Sequence, residues 1–161
     1  MADHDPHILG PGQASTPFTA GEIRQGCPSG RTIRLLVEPD GQEPFIRVNR
    51  FVDCDADGAT IERTRVGASG EPIGPPEAHR STWLELQAHA SFPADRTTIV
   101  PEALAIPIGR LECLRYTVTD GSSVDTFWFA KSAPGMPVKV IGREAGRVTS
   151  TVMMIDDRVV P

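Results

Sequence analysis

The chain has 161 residues, a formal net charge of −5, 39% hydrophobic and 23% charged residues, a balance suited to one globular domain with a real core. No Lys/Arg run interrupts the acidic excess, which argues against a nucleic-acid footprint. No apolar stretch reaches the roughly 18 to 20 residues that span a bilayer, and the amino terminus has neither a basic nor an apolar leader segment, so a cytoplasmic location is expected.

Met1 to Pro17 is rich in Gly and Pro and poor in apolar residues, and is expected to be a disordered tail before a single domain over residues 18–161. With Met1 removed, Ala2-Asp3-His4 spells a square-planar nitrogen site suited to Cu(II) or Ni(II), a pattern that a tail also acquires by chance. Thr19 with Glu22 forms a capping-box pattern and Gly26 a stop, which predicts a short helix.

Arg31 to Glu38 alternates with Ile33, Leu35 and Val37 on one face and ends in a Pro39-Asp40-Gly41 turn, the pattern of a strand. Phe45 to Cys54 places Ile46, Val48, Arg50, Val52 and Cys54 on one face and Phe45 and Phe51 on the other; the aliphatic row is expected to face the core. Asp55-Ala56-Asp57-Gly58 turns into a third strand, about Ala59 to Val66, and Gly67 to Pro76 reads as a loop. A helix is predicted over Trp83 to Phe92, capped at Ser81 or Thr82 with Glu85 and stopped by Pro93. Trp83, Leu86 and Ala90 form its apolar stripe, which makes it a natural lid for one face of a sheet.

The remaining strands are expected at about Thr97–Ile106, Arg110–Thr119, Val124–Ala130, Val138–Gly142 and Arg147–Ile155, with turns at Asp120-Gly121 and Glu144-Ala145-Gly146. Phe127, Trp128 and Phe129 are consecutive, so a strand through them presents aromatics on both faces and needs cover on both. The expected fold class is mainly β (α+β). It is a curled antiparallel meander of about eight strands, a half-barrel with one helix packed on the concave face and a short helix near the amino terminus, because twist accumulates across so many strands.

Three patterns in the carboxy-terminal half carry a resemblance: Gly109-x-Leu111-x-Cys113-x-x-Tyr116, Thr126-Phe127-Trp128-Phe129-Ala130 and Gly135-Met136-Pro137-Val138-Lys139. Together they resemble the lipoprotein-carrier-like (LolA-like) antiparallel β half-barrel superfamily and a related group of bacterial domains of unknown function. The resemblance covers about thirty residues well. It implies a shell able to hold apolar cargo, and its motifs speak to fold more than to function.

Candidates for chemistry are few. Cys27, Cys54 and Cys113 are odd in number and contain no Cys-x-x-Cys pair, so buried free thiols are expected rather than a disulfide framework or a zinc site. Glu85 and His89 sit one helical turn apart, but the second His of a metal pair is missing and a solvated helix face is the simpler reading. His79 lies just before the helix. Neither a Gly-x-Ser-x-Gly elbow nor a phosphate-binding glycine loop occurs, so no catalytic residue, metal or cofactor is assigned. Arg50 shares its row with the aliphatic residues of its strand and must find an anion or reach solvent there. With Arg63, Arg65 and Arg115 it suggests a cationic rim for a carboxylate or phosphate head group, against the alternative that each pairs with a surface acid.

Three readings follow. The first is non-catalytic binding of a small apolar or amphipathic molecule in the concave face, with Arg50, Trp83, Leu86, Tyr116, Phe127, Trp128 and Phe129 lining the pocket. The second is a structural or interaction module with a filled core, engaging a protein partner or a second copy of the chain. The third is a cofactor-independent enzyme, which would need groups such as His79, His89, Arg50 and Tyr116 to converge. The two-faced aromatic strand favours the first.

Overall fold

The computed structural model describes residues 4–161, so part of the Ala2-Asp3-His4 motif lies outside the described residues. In chain order the elements are α1 (Ala20–Gly26), β1 (Arg31–Pro39), β2 (Phe45–Val52), β3 (Gly58–Val66), β4 (Glu77–Thr82), α2 (Trp83–Ala88), β5 (Thr97–Ile106), β6 (Gly109–Asp120), β7 (Ser123–Ala130), β8 (Lys139–Glu144) and β9 (Arg147–Val159). A short 3-10 turn, Ala94–Arg96, joins α2 to β5. The described residues are thus mainly β, an open antiparallel sheet of nine strands with two short α-helices.

The sheet order is β4-β3-β2-β1-β9-β8-β7-β6-β5, so it is not the expected eight-strand meander. β1 pairs with β9 from Arg31↔Val159 to Pro39↔Ser150, which places two meanders side by side with β1 and β9 at the centre. The ninth strand is β4, whose residues 77–80 are exposed. It is held by the backbone of β3 and shows no apolar alternation, the signal by which strands are read from sequence. The sheet curls enough that Cα atoms of β5 come within 8 Å of β9.

Both helices are too short to persist alone, and both carry a complete capping box, Thr19 with Glu22 and Thr82 with Glu85. α2 stops at Ala88 instead of reaching Phe92, because the amides of Ala90 and Ser91 bond the carbonyls of Gln87 and Ala88, a tighter 3-10 spacing. Ile23 of α1 and Trp83 of α2 join the buried cluster on one face of the sheet, which we call the inner face, with Ile33, Leu35, Phe51, Tyr116 and Phe129.

β2 presents the opposite face from the one its aliphatic row suggests. Buried Ile33 and Leu35 of β1 stand across from Asn49 and Arg47, and Val37 across from Phe45. Directly paired residues share a face, so Phe45, Arg47, Asn49 and Phe51 point inward and Ile46, Val48, Arg50 and Val52 outward. A shift of one residue inverts every side chain of a strand.

The segment expected to be a disordered tail is tied to the fold from Pro6 onward. Tyr116 Oη donates to the Ser15 carbonyl at 2.6 Å, and the Ala14 amide donates to the Phe92 carbonyl at 2.8 Å. Gln87 Nε2 donates to the Pro6 carbonyl at 2.8 Å and to Thr16 Oγ1 at 3.0 Å. These ties run largely through backbone carbonyls and amides, which hydrophobic composition does not register.

Candidate functional site

Between the helices and the inner face lies a cavity of about 130 Å³. Its apolar lining comes from Phe51 and Ile61 on β2 and β3, Leu86 on α2, Phe92 just beyond it, and Phe127 and Phe129 on β7. The Phe92 ring stacks on Phe127 with centroids 5.0 Å apart, and Phe127 and Phe129 follow at 6.2 Å. Asn49, Arg63, His89 and Met136 complete the wall.

The wall at Met136 belongs to the β7–β8 connection, whose position is set by Arg31. This guanidinium, 4% exposed, grips both carboxylate oxygens of Asp157 at 3.0 and 2.9 Å. Its Nη1 donates to the Pro134 carbonyl at 2.5 Å and to the Gly26 carbonyl at 3.1 Å. Gly135 has φ +123 and a Cβ there would stand 3.3 Å from Cys27 Sγ, so only glycine lets the connection turn this closely over α1. Met136 is thereby brought to Asn49, whose Nδ2 lies 3.8 Å from the thioether sulfur.

Asn49 is 2% exposed, and its Oδ1 has no hydrogen-bond partner in the protein. A buried amide oxygen in that state costs about 1–3 kcal/mol. Native proteins retain such groups rarely. Beside it on the same face stand Arg63, directly across from Asn49, and Arg65, directly across from Arg47. The Arg47 guanidinium is half-buried, and its pKa is lowered by burial and by the charges of Arg63 and Arg65.

The cavity brings together only part of the expected set. Leu86, Phe127 and Phe129 line it. Trp83 is buried but anchors α2, its Nε1 donating to the Asp55 carbonyl at 2.8 Å. Tyr116 packs behind Phe129 with ring centroids 5.2 Å apart; its hydroxyl is held by Ser15 and burial pushes its pKa up to about 12. Trp128 lies on the outer face with Arg115 and Lys139. There its Nε1 donates to Glu102 at 2.5 Å and Lys139 Nζ lies 5.4 Å from its ring, so the second aromatic face is covered by polar side chains of the same sheet. Arg50 is also outside, paired with Glu62 in register and with Nη2 3.5 Å from the Val160 carbonyl. Arg115 is outside as well, bound to Glu102 at 3.0 Å.

Arg63 and Arg65 of the expected cationic rim do face inward, and Arg47 and Asn49 are the members that alternation missed. Phe92 was missed as a wall residue because it was read as the end of a helix. The Glu85 carboxylate accepts from the Thr82 amide at 3.2 Å and the Glu85 amide donates to Thr82 Oγ1 at 3.0 Å; among the described residues it forms no ion pair with His89. Among the described residues no cluster of three or more His, Cys, Asp or Glu is arranged to hold a metal, and no helix is long and apolar enough to cross a membrane. Cys27 and Cys113 are buried free thiols and Cys54 is partly exposed. No protein-family model and no curated protein matches the chain.

Proposed function

We propose that this chain binds a small apolar or amphipathic molecule, without transforming it, in the inner face of a half-barrel of the lipoprotein-carrier-like kind, with α2 as its cover. The observation that carries this reading is the aromatic cavity against α2, with the unpartnered amide oxygen of Asn49 in its wall. Its volume of about 130 Å³ is below the roughly 300–1,000 Å³ of sites for drug-sized ligands and near the ~150 Å³ of an apolar cavity that takes benzene. The enclosed part of the ligand is therefore a single ring or a short branched chain, not a full fatty-acyl tail.

An interaction module is the competing reading, supported by Ile99 and Val100, 36% and 38% exposed on the edge strand β5. Native mass spectrometry of protein gently purified from its own host, before and after organic extraction, separates the two. A mass excess removed by extraction supports ligand binding. A bare mass, together with no thermal shift from a panel of single-ring and short-chain compounds, overturns it.

A further inference from the structure

Arg47, Arg63 and Arg65 stand on the inner side of β2 and β3, Arg47 half-buried and Arg63 and Arg65 exposed, and among the described residues none of them forms an ion pair. Arg47 and Arg65 are direct cross-strand partners, an arrangement that destabilises a sheet when both residues carry the same charge. Six other arginines, Arg31, Arg80, Arg96, Arg115, Arg147 and Arg158, each have a carboxylate within 4.0 Å. Among the described residues these three have none, nor do Arg24, Arg34, Arg50, Arg110 and Arg143; what sets the three apart is that they share one side of the β2–β3 pair. Glu77 of β4 stands across from Arg63 in register yet forms no ion pair with it.

Of the three buried polar side-chain atoms without a partner among the described residues, two lie on this side and one, Arg50 Nε, on the outer face. Arg47 Nε is buried with no acceptor, and Asn49 Oδ1 is buried with no donor. Arg63 also lines the aromatic cavity, so cationic and apolar surfaces are continuous. Meanwhile the outward row of β2 holds Ile46, Val48 and Val52 together with Arg50. Breaking the polar-out rule on the buried side of a strand is the kind of local inconsistency expected at functional sites.

We infer that Arg47, Arg63 and Arg65 form an anion subsite at the mouth of the cavity, built for the phosphate of a small phosphorylated ring or short-chain compound whose apolar part enters the aromatic lining. This deepens the binding function proposed above and rests on it. Phosphate is chosen over carboxylate on charge: a phosphomonoester carries about −1.5 to −2 near pH 7 and offers three acceptor oxygens, whereas one carboxylate leaves two of the three guanidinium charges unmatched. Guanidinium forks suit phosphate oxygens in geometry as well as charge.

Calorimetric titration of the full chain with phenyl phosphate, benzoate, phenol and inorganic phosphate tests the subsite, with Arg63→Gln and the Arg63→Gln/Arg65→Gln double variant alongside wild type. Phenyl phosphate is expected to bind at least tenfold more tightly than benzoate or phenol, with an affinity that falls as salt rises. The double variant is expected to lose roughly tenfold or more for phenyl phosphate, as loss of charged hydrogen bonds implies, and a much smaller factor for phenol, which has no charge for the guanidinium to meet although Arg63 also lines the cavity. Unliganded Arg63→Gln is expected to melt no lower than wild type at low salt, which guards against misfolding as the cause. Equal affinity for phenyl phosphate and phenol, or an undiminished double variant, overturns the subsite and leaves the cavity reading standing. Binding of inorganic phosphate without phenol overturns the cavity reading alone, and failure of all four probes overturns both.

Discussion

Arg31 gives Nε and Nη2 to Asp157 and Nη1 to two backbone carbonyls and the Cys27 sulfur, so one buried side chain joins β1, β9, the end of α1 and the β7–β8 connection. Removing one partner of a buried pair leaves an uncompensated charge. Asp157→Asn is therefore expected to cost about 3 kcal/mol in chemical denaturation and to loosen the wall at Met136. Tyr116 offers a cleaner probe, because it is the chain's single tyrosine and its ultraviolet titration reports one group. Burial raises its folded pKa from near 10 to about 12 and favours the neutral form. The native state thus holds the proton more tightly than the unfolded chain, and the resulting stability is present below pH 10 and lost as pH rises toward 12. Tyr116→Phe is expected to abolish that high-pH loss; a tyrosinate signal appearing near pH 10 in the folded protein would contradict the burial.

At the scale of elements, both capping boxes were legible in the sequence because they depend on residues three apart. So were most strand spans, which follow alternation and turn residues. The inner face of β2 was not, since both of its rows contain apolar residues and Asn49 and Arg47 made the true inner row look like the solvent side. α2 shows a second limit of sequence reading. Its Gln87 is 2% exposed and bonds the Ala20 amide at 2.9 Å, the Pro6 carbonyl and Thr16 Oγ1, tying α1, α2 and the amino-terminal segment through one polar side chain. Gln87→Leu keeps the bulk but leaves those groups unpaired. The expected cost is about 2–3 kcal/mol, with faster amide hydrogen exchange over residues 4–18; protection there equal to wild type would show that the segment is held by something else.

For the molecule as a whole, the mainly β class and the curling were legible because eight or more alternating runs leave little else, whereas the β1–β9 pairing was not. Sequential strands usually neighbour one another in space, and no local feature of Arg31–Pro39 reveals that Arg147–Val159 will lie beside it. The aromatic triplet suggested cargo, yet only Phe127 and Phe129 reach the cavity, while Trp128 is covered on the outer face by Glu102 and Lys139. What distinguishes the inner face is the meeting of that aromatic lining with Asn49 and with three arginines, Arg47, Arg63 and Arg65, gathered on adjacent strands. The most direct test is a heteronuclear NMR titration of the full chain with phenyl phosphate. The account predicts saturable shifts concentrated at inner-face residues such as Asn49, Arg63 and Phe127. Shifts confined to Ile99 and Val100 at the β5 edge, or none at saturating ligand, would contradict it.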